Sequence, residues 1–409
     1  MEDILFLAHR IPYPPNKGDK IRSYHLLKHL AQRFRVHVGA FIDDPDDWCH
    51  AEALARLAGG EIKLLPLNSR MATLKSAVGL LTGEPLTIPY YRDRRMQAWA
   101  SAMLATRPIH HAVVYSSSMA QYVMNRSALR RVIDFVDIDS DKWRQYADKK
   151  PWPLCMVYRR ESRKLFGYEQ RVTRTFDAAC FVSDAKANLF KQLAPDCASK
   201  VFFYSNGVDT EYFSPENAGA SPYPPGVRAI VFTGAMDYWA NVDAVVWFAK
   251  EVFPAIRSAY PDATFYIVGT RPSIEVRALA KEPNIVVTGS VPDTRPYIAH
   301  AALAVAPLRI ARGIQNKVLE AMAMAKPTIV SPEALEGIRA EPKQELLLAA
   351  DAQAFAALSQ QLLLQPAPEI GIAARKRVVA DYGWDAHLAG FDARLQGQSD
   401  SLEPRKAAA

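Results

Sequence analysis

A chain of 409 residues, 49% of them apolar, exceeds the size at which one hydrophobic core keeps growing, so two domains of about 200 residues each are expected. Its four cysteines (Cys49, Cys155, Cys180, Cys197) have no CxxC spacing, which argues against a zinc site or a disulfide framework and fits a reducing cytosol. The net charge of +7 is unevenly shared: residues 1–200 hold 31 Lys and Arg against 21 Asp and Glu, and the remainder holds 19 against 22.

The opening MEDILFLAHRIPYPP has acidic residues where a signal peptide needs basic ones, and its apolar run is short; a first strand is expected. No stretch approaches the roughly 20 apolar residues of a membrane helix, so a cytoplasmic location is expected, with any membrane contact peripheral. Strand-like ILFLAH, VHVGAFI, HAVVYSS, RVIDFVD and AACFVS alternate with helical stretches such as RSYHLLKHLAQRF, which predicts a parallel doubly wound sheet. The first loop sets Gly18 among Lys17, Lys20 and Arg22 just before a helix. It can present amides and charge to a ligand, or be a plain basic turn. His25, two turns into that helix, is expected to be packed or solvated.

Residues 71–91, MATLKSAVGLLTGEPLTIPYY, are amphipathic enough to lie on a bilayer or line a groove. Cationic clusters at Arg92, Arg94, Arg95 and at Arg159, Arg160, Arg163, Lys164 could meet anionic lipid or a polyanionic ligand; a solvated helix face explains them equally well. No nucleic-acid recognition module accompanies the charge. In DFVDIDSDKW, Asp134, Asp137, Asp139 and Asp141 crowd together. An Asp-x-Asp pair can hold a divalent cation, although hard-oxygen sites need more ligands than this. Alternatively Asp137 or Asp139, at a strand's carboxyl end, orients or deprotonates a hydroxyl, or Asp139 or Ser140 caps a helix.

After the Pro-rich SPENAGASPYPPG (214–226) a second strand series begins: AIVFTGAM, TFYIVG, NIVVTGS, LAVAPL and PTIVS, with a helix near Asn241 to Arg257. It predicts a second Rossmann-like sheet. Gly234 ends one of these strands and is followed by Asp237, Tyr238 and Asn241; Gly289 and Ser290 end another, with Val291 beyond. In PLRIARGIQNKVLEAMAMAKPTIVSPEALEGI (307–338), Gly313 permits close backbone approach and the amides of Ile314, Gln315 and Asn316 open a helix whose N-terminus attracts anions. Arg309 and Lys317 supply charge for a diphosphate. Glu320, about one turn beyond Asn316, can reach ribose hydroxyls; a solvated Glu on a core helix is the plainer reading. Glu333 and Glu336 are further candidates, or ordinary loop charges.

This segment resembles the signature of family 4 retaining glycosyltransferases of the GT-B fold, in which a Glu, seven residues and Glu-Ala precede a Pro-Val-Val-like strand. The second Glu maps on Glu320; Arg312 stands where the family has the first, against the donor sugar. YSNGVDTEYFSP (204–215) and GWDAHLAGFDARL (383–395) resemble the family's hinge and final helix. PYPPNKGDKIRSYH (12–25) and DFVDIDSDKW (134–143) are similar to a subgroup associated with bacterial exopolysaccharide loci. The resemblance implies an acceptor domain (1–205), a nucleotide-sugar domain (206–380) facing it across a cleft, a crossover helix (381–396) and a disordered tail (397–409). It implies transfer from a nucleotide diphosphate sugar, a UDP-sugar by expectation, to a glycan or polyprenyl-linked acceptor, with retention and with no metal or other cofactor. Many relatives carry a His-Asp pair near the Asp137 strand end and an Arg-Lys pair after Gly234, and this chain has neither. A sugar-nucleotide epimerase and a catalytically silent scaffold are the alternatives.

Overall fold

The computed structural model describes residues 1–15, 18–148, 150–311 and 314–397. Asn16, Lys17, Arg312, Gly313 and the tail from 398 onward lie outside the described residues. The chain divides into two units: Met1–Asn206 joined by the chain from His387 onward, and Gly207–Ala386.

The first unit is built on seven strands: β1 (Glu2–Ala8), β2 (Phe34–Ile42), β3 (Gly59–Pro66), β4 (Ile109–Tyr115), β5 (Arg130–Val136), β6 (Ala178–Phe181) and β7 (Val201–Phe203). They pair in parallel in the order β3-β2-β1-β4-β5-β6-β7. The order reverses at β1 and β4, and crevices at such switch points, outside the carboxyl ends of the strands, are where open α/β sheets take ligands. β3 and β7, which the apolar pattern alone does not mark, are the two edges.

A buried ion pair ties this unit together. Arg22, on the helix Gly18–Ala31, donates to Asp134 of β5 (Nε to Oδ2, 2.8 Å) and to the Tyr204 carbonyl and Asn206 Oδ1, both 3.0 Å. Tyr204 donates its hydroxyl to the same carboxylate at 2.5 Å, and its ring lies 3.5 Å under the guanidinium. Arg22 and Asp134 are fully buried. Lys20 is buried as well, bound to Asp47 at 2.6 Å. These cations are therefore not offered to a ligand by the first loop, contrary to expectation: they face inward because each has a buried carboxylate as partner. His25 is buried.

The second unit holds β8 (Arg228–Thr233), β9 (Ala263–Val268), β10 (Ile285–Gly289), β11 (Leu303–Ala306), β12 (Thr328–Val330) and β13 (Leu347–Leu348), parallel in the order β10-β9-β8-β11-β12-β13. Alternate residues of β8 serve different cores, Ile230 and Phe232 one, Ala229 and Val231 the other, so both faces are covered. Here β8 and β11 flank the switch point. The helix expected near 241–257 is interrupted: Trp239–Trp247 passes through a π turn, Phe248–Val252, into Phe253–Ala259. Pro254, lacking an N–H, cannot continue an α-helical ladder at that point.

At the ends of this unit, Val208 N donates to Tyr382 O (2.8 Å) and Val208 bridges to Gly383. The final helix, Trp384–Gln396, belongs to the first unit from His387 on: Phe391 packs on Phe202 and Tyr204, and Asp392 accepts from His29 at 2.8 Å.

Truncating Arg22 to Met leaves the Asp134 charge buried and unpaired. A loss of about 3–5 kcal/mol is expected in the urea transition of the first unit, and Arg22→Met/Asp134→Leu is expected to recover part of it.

Candidate functional site

Of three adjacent strands of the second unit, β8 and β9 are followed directly by Gly234 and Gly269, and β10 ends in Gly289. At Gly269 a side chain is excluded by backbone, and at Gly234 one would displace the Asn241 amide. A Cβ on Gly269 would lie 1.7 Å from the Gly234 carbonyl oxygen, and one on Gly234 would lie 2.7 Å from Asn241 Nδ2. Gly269 was not singled out from sequence, although TFYIVG shows the same apolar run closed by glycine. Gly289 is two strands away from Gly234, at the sheet edge.

Across the switch point, β11 leads into residues 307–315 and the helix Asn316–Ala323. Gln315 is the N-cap residue and Asn316 the first helical one; their side chains and that of Ile314 are half-buried, and Ile314 packs against the core. The first amides of a helix lie ahead of its carbonyls and favour an anion, although Val318 N already donates to the Gln315 carbonyl at 3.0 Å. Ser331, buried after β12, holds the Leu308 carbonyl at 2.6 Å and so fixes the start of the loop.

Lys317 is the residue these elements converge on. Its ammonium donates to Asn241 Oδ1 at 2.6 Å and lies 5.0 Å from the Phe232 ring centroid. Asn241 in turn donates to the Ala235 carbonyl at 2.9 Å, so the turn after Gly234 is locked to the lysine. Burial lowers the Lys317 pKa to about 8, the nearby Glu320 charge opposing the drop. Burial likewise pushes Glu320 up to about 7, against the pull of Lys317. The structure thus brings Gly234, Asn241, Lys317 and Glu320 together.

Arg309 is engaged elsewhere. Its Nε donates to Asp243 Oδ2 at 3.0 Å, and a second bond joins Nη2 to Oδ1 of the same carboxylate. Because Asp243 and Asn241 sit on one helix, that helix supplies partners to both cations. The expected sharing of phosphate charge by Arg309 and Lys317 is revised by this pairing: the Arg309 charge is already offset. Asp237 pairs with Arg271 at 3.0 Å, and Tyr238, Glu333 and Glu336 are exposed. Gly313 and Arg312 lie outside the described residues.

In the first unit, Gly18 opens its helix in the loop after β1, and Asp137 and Asp139 lie beyond β5. Two non-glycine residues with left-handed backbones close the neighbouring strands, Ser116 (φ 80°) after β4 and Val136 (φ 68°) ending β5; such strain in a β-branched residue is uncommon and gathers at functional sites. Asp137 accepts from Lys186 at 2.8 Å, with Lys142 at 3.7 Å. Asp139 accepts from Lys142 at 3.1 Å, and Ser117 Oγ lies 3.5 Å away. Burial works against the Lys142 charge, but Asp139 and Asp137 outweigh it and raise its pKa.

Neither Asp139 nor Ser140 caps the helix Asp139–Ala147. Glu169, on the long helix Leu154–Thr175, accepts from Ser140 N (3.1 Å) and Ser140 Oγ (2.5 Å), because Ile138 at the cap position has no acceptor. Glu169 is buried, and desolvation together with the Asp139 charge raises it to about 8. Nothing in its local sequence marked it. Among the described residues no three His, Cys, Asp or Glu side chains converge as metal ligands.

The Lys317 environment has a stability signature. With a folded-state pKa near 8 against about 10.5 in the unfolded chain, the unfolded state binds more protons between those values, so this group favours folding increasingly as pH rises through that window. At neutral pH its half-buried charge is a cost. Lys317→Met is therefore expected to raise the melting temperature near pH 7, with the gain shrinking towards pH of about 10, read by thermal melts across that range.

Comparison with known proteins fits this geometry. Residues 227–365, which span the β8–β13 sheet and the Asn316 helix, match the family described as glycosyl transferases group 1. No curated protein matches the sequence. Among solved structures, sucrose-phosphate synthase from Thermosynechococcus elongatus is similar at 16% identity and a TM-score of 0.63, over 97% of this chain and 99% of that one. Anabaena HepE, crystallised with UDP, is similar at 14% identity and a TM-score of 0.61, over 97% and 100%. TarM is similar at 10% identity and a TM-score of 0.62, over 97% and 99%. The chain thus has the GT-B fold, and its residues 227–365 are similar to the group 1 glycosyltransferase domain.

Proposed function

We propose that this protein transfers a sugar from a nucleoside diphosphate sugar, a UDP-sugar in the first instance, to a glycan or polyprenyl-linked acceptor of exopolysaccharide assembly, with retention and without a metal ion. The observation that carries the reading is the Lys317 ammonium, held by Asn241 beside Gly234 at the start of a helix whose next turn presents Glu320. The UDP and UDP-glucose complexes of HepE, a protein of the same fold, support the donor class.

In this reading the diphosphate rests on the first-turn amides of the Asn316 helix and on Lys317. Negative charge grows on the leaving diphosphate as the glycosidic bond breaks, and the ammonium stabilises it there without reorganisation, since Asn241 already fixes it. Glu320 accepts from the ribose hydroxyls. Asp137 and Asp139 orient the acceptor hydroxyl and take its proton, with Lys142 and Lys186 holding the carboxylates in place. The attacking oxygen enters on the face the diphosphate leaves.

A thermal-shift panel of UDP, GDP, ADP, TDP and CMP tests the donor site, since a ligand at about 100 times its dissociation constant adds roughly 2.7 kcal/mol. One diphosphate is expected to shift the melt by several degrees, and Lys317→Ala and Glu320→Ala to abolish the shift. Affinity for that nucleotide is expected to weaken as pH rises through about 8, where unliganded Lys317 loses its proton, and Lys317→Met to flatten the profile. No shift with any nucleotide removes the donor site. A shift with sugar conversion but no acceptor requirement identifies an epimerase, and a shift without turnover a silent scaffold.

A further inference from the structure

Residues 69–90 fold as three short helices, Ser69–Ser76, Val78–Thr82 and Thr87–Tyr90, with large apolar side chains outward. Met71, Leu74, Val78, Leu80 and Leu81 are each at least half exposed, Leu81 at 90%. Soluble surfaces rarely gather so many such side chains on one short stretch.

The segment is rigidly mounted. Glu161, buried on the helix Leu154–Thr175, accepts from Leu86 N (2.5 Å), Thr87 N (2.9 Å) and Thr87 Oγ1 (2.7 Å). Arg160 beside it donates to the Gly79 carbonyl at 2.6 Å and the Glu84 carbonyl at 3.2 Å. The Lys164 ammonium lies 3.8 Å from where a Cβ on Gly83 would stand. One turn before Arg160 on the same helix, Met156 is exposed, and so are Leu154 and Trp152 just ahead of it. The two apolar groups are therefore neighbours joined through Arg160.

Charge around them is predominantly positive, with Glu84 paired to Arg92 at the margin. Residues 67–83 contain no Asp or Glu, and residues 149–168 contain only Glu161, which is turned inward. Arg70, Lys75, Lys150, Arg159, Arg163 and Lys164 are exposed. Of the cations noted from sequence, Arg92 and Arg95 are instead paired with Glu84 and Asp93, and Arg160 is spent on carbonyls. An apolar knuckle within a cationic surround matches the layering of an anionic bilayer, acyl chains beneath phosphate headgroups.

We propose that the Ser69–Thr82 helices and the head of the Leu154 helix form a docking surface for an anionic lipid bilayer, the leucines entering the acyl boundary and the lysines and arginines meeting the headgroups. The surface lies wholly in the first unit and does not depend on the donor reading.

Vesicle co-sedimentation tests it without any nucleotide. The protein is expected to pellet with phosphatidylcholine vesicles containing about one third phosphatidylglycerol and to stay in solution with phosphatidylcholine alone. Leu74→Ser/Leu81→Ser is expected to lower partitioning by at least about tenfold, and Arg163→Gln and Lys164→Gln by about fivefold each. All four positions are exposed, so unchanged circular-dichroism melts are expected. Absence of binding, equal binding to both vesicle types, or unchanged binding in every variant overturns the proposal. Concentration-dependent self-association that the leucine variant abolishes also overturns it, assigning the face to a second copy.

Discussion

The ammonium of Lys317, hydrogen-bonded to the Asn241 amide and lying over the Phe232 ring, sets what the rest of the second unit must be. A half-buried cation whose hydrogen-bond acceptor is neutral is only partly compensated, and its lowered pKa expresses that deficit. Asn241 can reach it because Gly234 has no side chain, and Gly234 can sit where it does because Gly269 has none either. The Asn316 helix begins at the same point, so a charge and a helix N-terminus are gathered there.

The first unit solves a different electrostatic problem. Asp134 is withdrawn into the sheet by Arg22 and Tyr204, whereas Asp137 and Asp139, only a few residues further on, stay outside and share Lys142. The separation is made by one backbone feature, Val136 with φ 68°, which turns the chain at the strand end. Glu169 completes the arrangement from below by holding the start of the helix that carries Asp139. Three aspartates that look alike in sequence, Asp134, Asp137 and Asp139, thus have distinct surroundings.

The fold class was legible because the central strands are unbroken apolar runs, as parallel strands covered on both faces must be. What escaped were edges: β3, with Glu61 and Lys63 along a half-exposed GGEIKLLP; β7, three residues long; and β13, only two. The Gly234, Lys317 and Glu320 positions were legible from local pattern, a strand end and a helix start. Their partners were not, since Asn241–Lys317 and Arg309–Asp243 span 76 and 66 residues and Arg22–Asp134 spans 112, distances at which no local periodicity carries information. Lys20 and Arg22 misled for the same reason: a cation beside a glycine reads as a ligand contact until its buried acid is seen.

The bridge from Val208 to Gly383 brings the two ends of the second unit side by side. In chain terms that unit is an insertion, a self-contained loop of 207–386 placed within a protein that resumes at His387. An insertion with adjacent ends can be exchanged or copied as a cassette with little disturbance to its host, because the gap it leaves is already short.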